Sequence, residues 1–123
     1  MLTEGLTHTS SVIVNNDNTA QALGSGDMPV FATPALVALM ENAAMQAVAS
    51  LIPEDSTTVG GFIETSHLAP SSLGATIQAT ATLTEVKGRK LTFTIDAKEG
   101  EKPVGKATHI RFIVERKKFL ESL

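Results

Sequence analysis

The stretch from Pro34 to Ile52, PALVALMENAAMQAVASLI, decides the fold of this chain. It is rich in helix formers, contains no glycine and carries a single charge, Glu41. Thr33 before it is a predicted N-cap, Pro34 suits the first helical turn, and Pro53 ends the helix. Apolar residues lie on nearly all sides, and a thin polar stripe is made by Asn42, Gln46 and Ser50. We therefore expect a long helix that the rest of the chain wraps.

Segments with the composition of β-strands lie on both sides of this helix. The predicted strands are 7–14, 59–67, 76–86, 91–98 and 104–114. The last three are joined by short turns, so they must be antiparallel neighbours. The sequence thus predicts an α+β fold, an antiparallel sheet wrapped around one long buried central helix, in a single domain spanning residues 1–123. Because the helix has more apolar surface than one small sheet covers, we also expect a homodimer or higher homo-oligomer.

Two shorter segments complete the predicted organisation. The connection 15–31 is polar and punctuated by glycine, with a short helical turn at 19–23. It is interpreted either as a lid or as a plain surface loop. The charged tail 115–122 is predicted to form a short terminal helix.

The composition excludes several classes of function. Thirteen acidic residues outnumber ten basic ones, and the chain has five Phe but no Trp or Tyr, so a nucleic-acid binder is not expected. The absence of cysteine removes disulfides, thiolate metal sites and cysteine nucleophiles, and we expect no metal site. No signal peptide or membrane span is visible in the sequence. These features predict a cytoplasmic protein without a membrane partner.

Three residues combine into a candidate site for acyl transfer. Thr33 lies at the start of the helix, Glu41 lies about two turns further on, and His67 ends the next strand. A hydroxyl, a carboxylate and an imidazole supply the nucleophile, the orienting acid and the base of such chemistry. Each residue also has a purely structural interpretation: a helix cap, a paired buried acid and an ordinary strand-end histidine. Spacing alone leaves both interpretations open.

Four stretches of the sequence carry a more specific resemblance. They are VFATPALVALMENAAM (30–45), GGFIETSHLAP (60–70), EVKGRKLTFTIDA (85–97) and GKATHIRFIV (105–114). In order and spacing they resemble the hot-dog-fold acyl-CoA thioesterases, and most closely the fluoroacetyl-CoA thioesterase type. The resemblance covers nearly the whole chain, and it implies a hot-dog fold for the predicted sheet and helix.

The resemblance also implies roles for particular residues. It makes Thr33, Glu41 and His67 the catalytic set. It assigns Gly60 and Arg111 to substrate binding, and we include Gly61 beside Gly60 in that set. The pair of glycines also has a structural interpretation, as a bulge or a close backbone approach.

The implied activity is hydrolysis of a short-chain acyl-CoA thioester to the free acid and coenzyme A, with coenzyme A as part of the substrate and no other cofactor. Either Thr33 is the nucleophile, or Glu41 or His67 activates water while Thr33 positions it. The segment 15–30 contains no aromatic residue, whereas the fluoroacetyl-specific enzyme has phenylalanines that gate its pocket. A general short-acyl thioesterase is therefore expected. A non-catalytic acyl-CoA-binding or regulatory module is the alternative, and a dehydratase on the same fold ranks last.

Overall fold

The computed structural model describes all residues from Met1 to Leu123. In chain order the elements are β1 (Thr7–Ile13), α1 (Ala20–Leu23), α2 (Thr33–Val48), β2 (Ser56–His67), β3 (Thr76–Lys87), β4 (Lys90–Glu99), β5 (Lys102–Glu115) and α3 (Arg116–Glu121). A single 3₁₀ turn, Ala49–Leu51, extends α2 before Pro53. The predicted order of helices and strands is confirmed. The second strand begins three residues earlier than the sequence pattern indicates.

The five strands form one antiparallel sheet in the order β1-β3-β4-β5-β2. The tight turns between β3, β4 and β5 make these strands neighbours, and glycines in the left-handed region, Gly88 and Gly100, close the two hairpins. The first two strands occupy the edges. Since α2 packs on one face of the sheet, the α+β fold with a sheet curled on a long helix is confirmed.

Helix α2 is buried along one face only. The fully or nearly buried residues of the helix are Leu36, Leu39, Met40, Ala43, Ala44 and Val48. Ala38, Asn42 and Gln46 are exposed on the opposite face. The expectation of burial on all sides is therefore wrong for one chain, because a single five-stranded sheet covers only one side of a helix. Several of the remaining positions are alanines, which expose little apolar surface there.

The helix also starts differently from the prediction. Ala32 is the N-cap residue, and Thr33 is the first helical residue, followed by Pro34. No side chain caps the helix. The predicted capping role of Thr33 is wrong because its hydroxyl bonds to a histidine on β2 instead. The chain thus gives up one capping hydrogen bond, worth about 1 kcal/mol in typical helices.

Strand β2 contains a β-bulge. The register against β5 shifts between Gly60 and Phe62, so Gly61 is the extra residue. Gly60 pairs with Arg111, and His67 at the far end of the strand pairs with Gly105. The bulge therefore separates two ends of β2 that both contribute to the sites described below.

The connection between β1 and α2 is tied to the body of the protein at several points. Val14 donates to the carbonyl of Ala75, and an isolated bridge joins Val30 to Ser72. Residues 21–29 are exposed. No helix in the structure is both long enough and apolar enough to cross a membrane.

Candidate active site

Two of the predicted catalytic residues meet directly. The Thr33 Oγ1 atom lies 2.7 Å from His67 Nδ1, which is hydrogen-bonding distance. Helix α2 supplies the threonine from its first residue, and β2 supplies the histidine from its last. The hydroxyl therefore sits at the positive end of the helix dipole, beside backbone N–H groups that have no partner within the helix. A nucleophile or a bound water at this position would have a base within reach.

A cleft of about 350 Å³ opens at this pair. Its walls come from the start of α2, from the segment before it and from the chain after β2. The lining side chains include Val30, Phe31, Leu68, Ala69 and Pro70. The Phe31 ring stands edge-on to the His67 ring, with their centroids 6.4 Å apart. The pair thus lies against an apolar wall and is open on the other side.

His67 is partly withdrawn from solvent. Desolvation by burial lowers the pKa of its imidazole below the ordinary value of 6.5, so the neutral form is favoured at neutral pH. A neutral imidazole whose Nδ1 accepts the Thr33 hydroxyl carries its proton on Nε2. Nε2 is buried and has no hydrogen-bond partner within this chain. In this tautomer the Thr33–His67 pair therefore lacks a group within the chain that would orient the imidazole.

Glu41 lies in a second cluster at the other end of β2. Its Oε2 atom is 3.9 Å from Arg111 Nη1, an ion pair without a direct hydrogen bond. The Glu41 side chain is 40% exposed, whereas that of Arg111 is only 8% exposed. In the structural interpretation of Glu41 as a paired acid, its partner is therefore Arg111. The carboxylate is less buried than an apolar helix implied, since α2 is covered on one face only.

Two further residues hold Arg111, and sequence reasoning assigned neither to the site. Its Nε donates to Thr58 Oγ1 and its Nη2 to the Thr58 carbonyl, both at 2.8 Å, while Nη1 lies 3.2 Å from His109 Nε2. Burial lowers the pKa of Arg111, but its ordinary value is so high that the side chain stays cationic. The alternation of β5 placed His109 on the same face as Arg111. No signal in the sequence pointed to Thr58.

The two glycines of the bulge face different surroundings. A side chain on Gly60 would place its Cβ 2.8 Å from Glu41 Oε2 and 3.3 Å from the His109 ring. On Gly61 the Cβ would instead collide with the Phe112 ring at 2.5 Å. Gly60 therefore keeps space open beside Glu41 and Arg111. The structure does not bring Gly61 into that space.

Within one chain the two clusters remain apart. Thr33 and Glu41 are eight residues apart on α2, which corresponds to about 12 Å along the helix axis. No hydrogen bond or ion pair joins Glu41 to Thr33 or His67. The structure thus places Thr33 with His67 and Glu41 with Arg111 and Gly60. No group of three or more acidic or histidine side chains is arranged to hold a metal ion.

An antiparallel sheet curled around one long helix is the hot-dog architecture. A hot-dog-like protein from Thermanaerovibrio acidaminovorans matches it with a TM-score of 0.87 at 22% identity, over 97% of this chain and 88% of that one. This likeness places the chain in the hot-dog class.

The chain belongs to the fluoroacetyl-CoA-specific thioesterase family, whose sequence profile matches residues 14–117. The fluoroacetyl-CoA thioesterase of Streptantibioticus cattleyicolor is 36% identical over 90 residues, which are 73% of this chain and 65% of that protein. A solved structure of the fluoroacetyl-CoA thioesterase FlK has a TM-score of 0.92 at 30% identity, over 99% of this chain and 95% of that one. The resemblance of the four sequence stretches to this family is thereby confirmed.

Proposed function

We propose that this chain hydrolyses the thioester of a short-chain acyl-CoA, releasing the free acid and coenzyme A. The observation that carries the proposal is the 2.7 Å contact between Thr33 Oγ1 and His67 Nδ1 at the start of α2. Membership of a thioesterase family supports the same reaction. Coenzyme A enters as part of the substrate, and water is the only other reactant, so we propose no cofactor.

Two routes fit the geometry. In the first, Thr33 Oγ1 attacks the thioester carbonyl while His67 Nδ1 takes the hydroxyl proton; the C–S bond then breaks, the thiolate leaves with that proton, and water hydrolyses the acyl-threonine. In the second, His67 or Glu41 takes a proton from water, which attacks the thioester carbonyl directly while Thr33 positions it; the C–S bond then breaks and the thiolate leaves with that proton. In both routes, backbone N–H groups at the start of α2 or beside Gly60 would stabilise the oxyanion.

The hydrogen-bond partner of His67 Nε2, which has none within the chain, would come from a second copy of the chain. Strand β2 is an edge strand of twelve residues with no proline, lysine or arginine, and its segment after the bulge, 62–67, is regular and open to pairing with another strand. Antiparallel pairing of two β2 strands about a two-fold axis near Ile63 and Glu64 would bring the His67 end of one chain to the Gly60 end of the other. Glu41 lies beneath Gly60. We therefore propose a homodimer in which the partner subunit's Glu41 orients His67.

We propose that the substrates carry short acyl groups and that the site does not select one of them. The space beside Gly60 and Glu41 is bounded by the closely packed side chains of Arg111 and His109. No aromatic residue in 15–30 is available to select for fluoroacetate. Localisation in the cytoplasm is likewise proposed, because a chain without cysteine suits a reducing compartment.

A direct assay tests the reaction. Free thiol release is measured from acetyl-, propionyl-, butyryl-, hexanoyl- and fluoroacetyl-CoA, with Glu41→Gln and His67→Ala as comparison variants. We expect hydrolysis of the short unsubstituted acyl groups and its loss in both variants. Binding of several acyl-CoAs without turnover would contradict the enzyme and favour a non-catalytic module.

A mixing experiment tests the shared site. Thr33→Ala and Glu41→Gln are each purified, mixed and allowed to exchange subunits. A mixed dimer keeps one complete site, so about a quarter of the wild-type activity should return. The matched control mixes Thr33→Ala with His67→Ala, which leaves no complete site. If subunit exchange is demonstrated and activity returns in neither mixture, the catalytic set lies within one chain.

A further inference from the structure

We propose that His109 is a positioning residue, which holds the Arg111 guanidinium beside Glu41 and Gly60 through a fixed neutral tautomer. The inference rests on the proposed function, because Gly60, Glu41 and Arg111 form part of the acyl site there. His109 lies on β5, two residues before Arg111. It is 1% exposed, so it does not meet the solvent or the cleft itself.

The hydrogen bonds of His109 define its protonation state. Its Nδ1 lies 2.7 Å from the Phe62 carbonyl, which can only accept, so Nδ1 carries a proton. Its Nε2 lies 3.2 Å from Arg111 Nη1, which can only donate, so Nε2 is unprotonated. Only the neutral tautomer with the proton on Nδ1 satisfies both contacts. Burial, with a smaller contribution from the neighbouring Arg111, lowers the pKa of His109. The Phe62 carbonyl and Glu41 act to raise the pKa, but the net shift is downward, which favours the neutral ring.

This tautomer completes the support of Arg111. A guanidinium has five N–H groups, and Thr58 takes one from Nε and one from Nη2. The His109 bond fixes the third nitrogen, Nη1, so all three nitrogens are held. The second N–H of Nη1 remains for the site, where Glu41 Oε2 lies 3.9 Å away. Arg111 is thus held in one orientation rather than as a mobile charge, with one N–H left on Nη1 and one on Nη2.

The second contact of His109 supports the other wall of the same space. Phe62 follows the bulge, and its carbonyl accepts from a side chain of the neighbouring strand. The His109 ring lies 3.3 Å from where a Gly60 Cβ would be. One imidazole therefore fixes both the cation and the backbone that border the carboxylate.

Two substitutions separate the two contacts. In His109→Gln the amide oxygen reaches the place of Nε2 and can accept from Arg111. In His109→Asn the shorter amide reaches the place of Nδ1 and can donate to the Phe62 carbonyl, but nothing accepts from Arg111. Both variants lose the ring and its packing on Phe93. A purely structural role of His109 therefore affects both variants alike, whereas a positioning role separates them.

The measured quantities are kcat/KM with the best acyl-CoA and the nitrogen-15 NMR signals of the side chains. We expect His109→Asn to lose about 10- to 100-fold in kcat/KM and His109→Gln to lose no more than about threefold. The Arg111 Nε–H signal should stay sharp in His109→Gln and broaden in His109→Asn. Equal losses in both variants would overturn the proposal.

The NMR spectra of the unsubstituted protein keep the test independent of turnover and of variant folding. At neutral pH they should show His109 protonated on Nδ1 and not on Nε2. A cationic ring or the opposite tautomer would overturn the proposal, even in a protein that hydrolyses acyl-CoA. Absence of hydrolysis with the predicted tautomer and a rigid Arg111 would instead contradict the proposed function and leave the positioning role supported.

Discussion

At the scale of single residues, the Thr33 hydroxyl bonds to His67 and does not contribute to the helix cap. Thr33 is exposed and caps nothing, so its removal leaves the fold intact. Thr33→Ala should lower kcat by at least about 100-fold if the threonine is the nucleophile, while the unfolding midpoint changes little. Thr33→Ser keeps the oxygen and should retain much of the activity. An acyl-threonine trapped on His67→Ala would support the same route, and full activity in Thr33→Ala would eliminate it.

Gly60 and Gly61 make a matched pair of substitutions. Gly60→Ala pushes a methyl group to 2.8 Å from Glu41 Oε2, so kcat/KM should fall by about tenfold or more. Gly61→Ala meets the Phe112 ring instead, and it should lower stability more than it affects turnover of the folded enzyme. Steady-state kinetics and thermal unfolding of both variants check this. A larger kinetic effect at Gly61 would contradict the arrangement.

His67 and His109 make the free energy of unfolding depend on pH in a defined direction. Burial lowers the pKa of both His67 and His109 below 6.5 in the folded protein. As pH falls below 6.5, the unfolded chain binds protons more readily than the folded chain, so the free energy of unfolding decreases. Above about pH 7 both histidines are neutral in the folded chain and this loss is small. Thermal unfolding from about pH 7.5 to pH 5 should show it, and His109→Gln should reduce the slope.

The sequence predicted part of this residue-level arrangement. Thr33 and His67 were placed together because a hydroxyl at a helix start and a histidine at a strand end were both visible in the pattern. The sequence also grouped Glu41 with Thr33 and His67. Spacing along α2, however, does not reveal which strand, or which subunit, the Glu41 side chain meets. The roles of Thr58 and His109 depend on cross-strand neighbours, which the sequence does not specify.

At the scale of elements, the close packing of α2 on β5 depends on Gly105. A Cβ on this residue would lie 2.9 Å from Leu36 Cδ2 and 3.0 Å from Met40 Cε. Gly105→Ala should therefore lower the free energy of unfolding by about 1–3 kcal/mol. Leu36→Ala should cost about 2–5 kcal/mol because it leaves a cavity. The double variant, measured by denaturant unfolding, should be less destabilised than the sum, and strict additivity would contradict direct contact.

Elements were the most predictable part of this fold, since hydrophobic alternation and short turns specify the hairpins β3-β4-β5 directly. Two features were mispredicted. The hydroxyl of Thr33 found a tertiary partner in place of the helix cap, and the face of α2 that carries Ala38, Asn42 and Gln46 stayed exposed. In both cases a contact distant in sequence decided the outcome, and local propensity cannot report such contacts.

At the scale of the whole molecule, the open edge of β2 leads to a direct test of the proposed dimer. The chain has no cysteine, so a single introduced thiol is unambiguous. Near a two-fold axis a residue faces its own copy, and either Ile63→Cys or Glu64→Cys should form a disulfide-linked dimer on mild oxidation. Asp96→Cys, on the interior strand β4, is the control and should stay unlinked. No linkage above this control at either position would contradict pairing through β2.

The bulge in β2 changes which face of the sheet the residues after it occupy. Gly60 and His67 are seven positions apart, and in a regular strand an odd separation puts two residues on opposite faces. The extra residue, Gly61, reverses that parity, so both ends of β2 meet α2: one at Glu41 and the other at Thr33. Removal of Gly61 itself would leave the two residues six positions apart and on the same face, whereas removal of a residue between Phe62 and Ser66, with the bulge kept, would turn His67 to the outer face. For this strand, the effect of a single-codon deletion therefore depends on whether it removes the bulge or a residue beyond it.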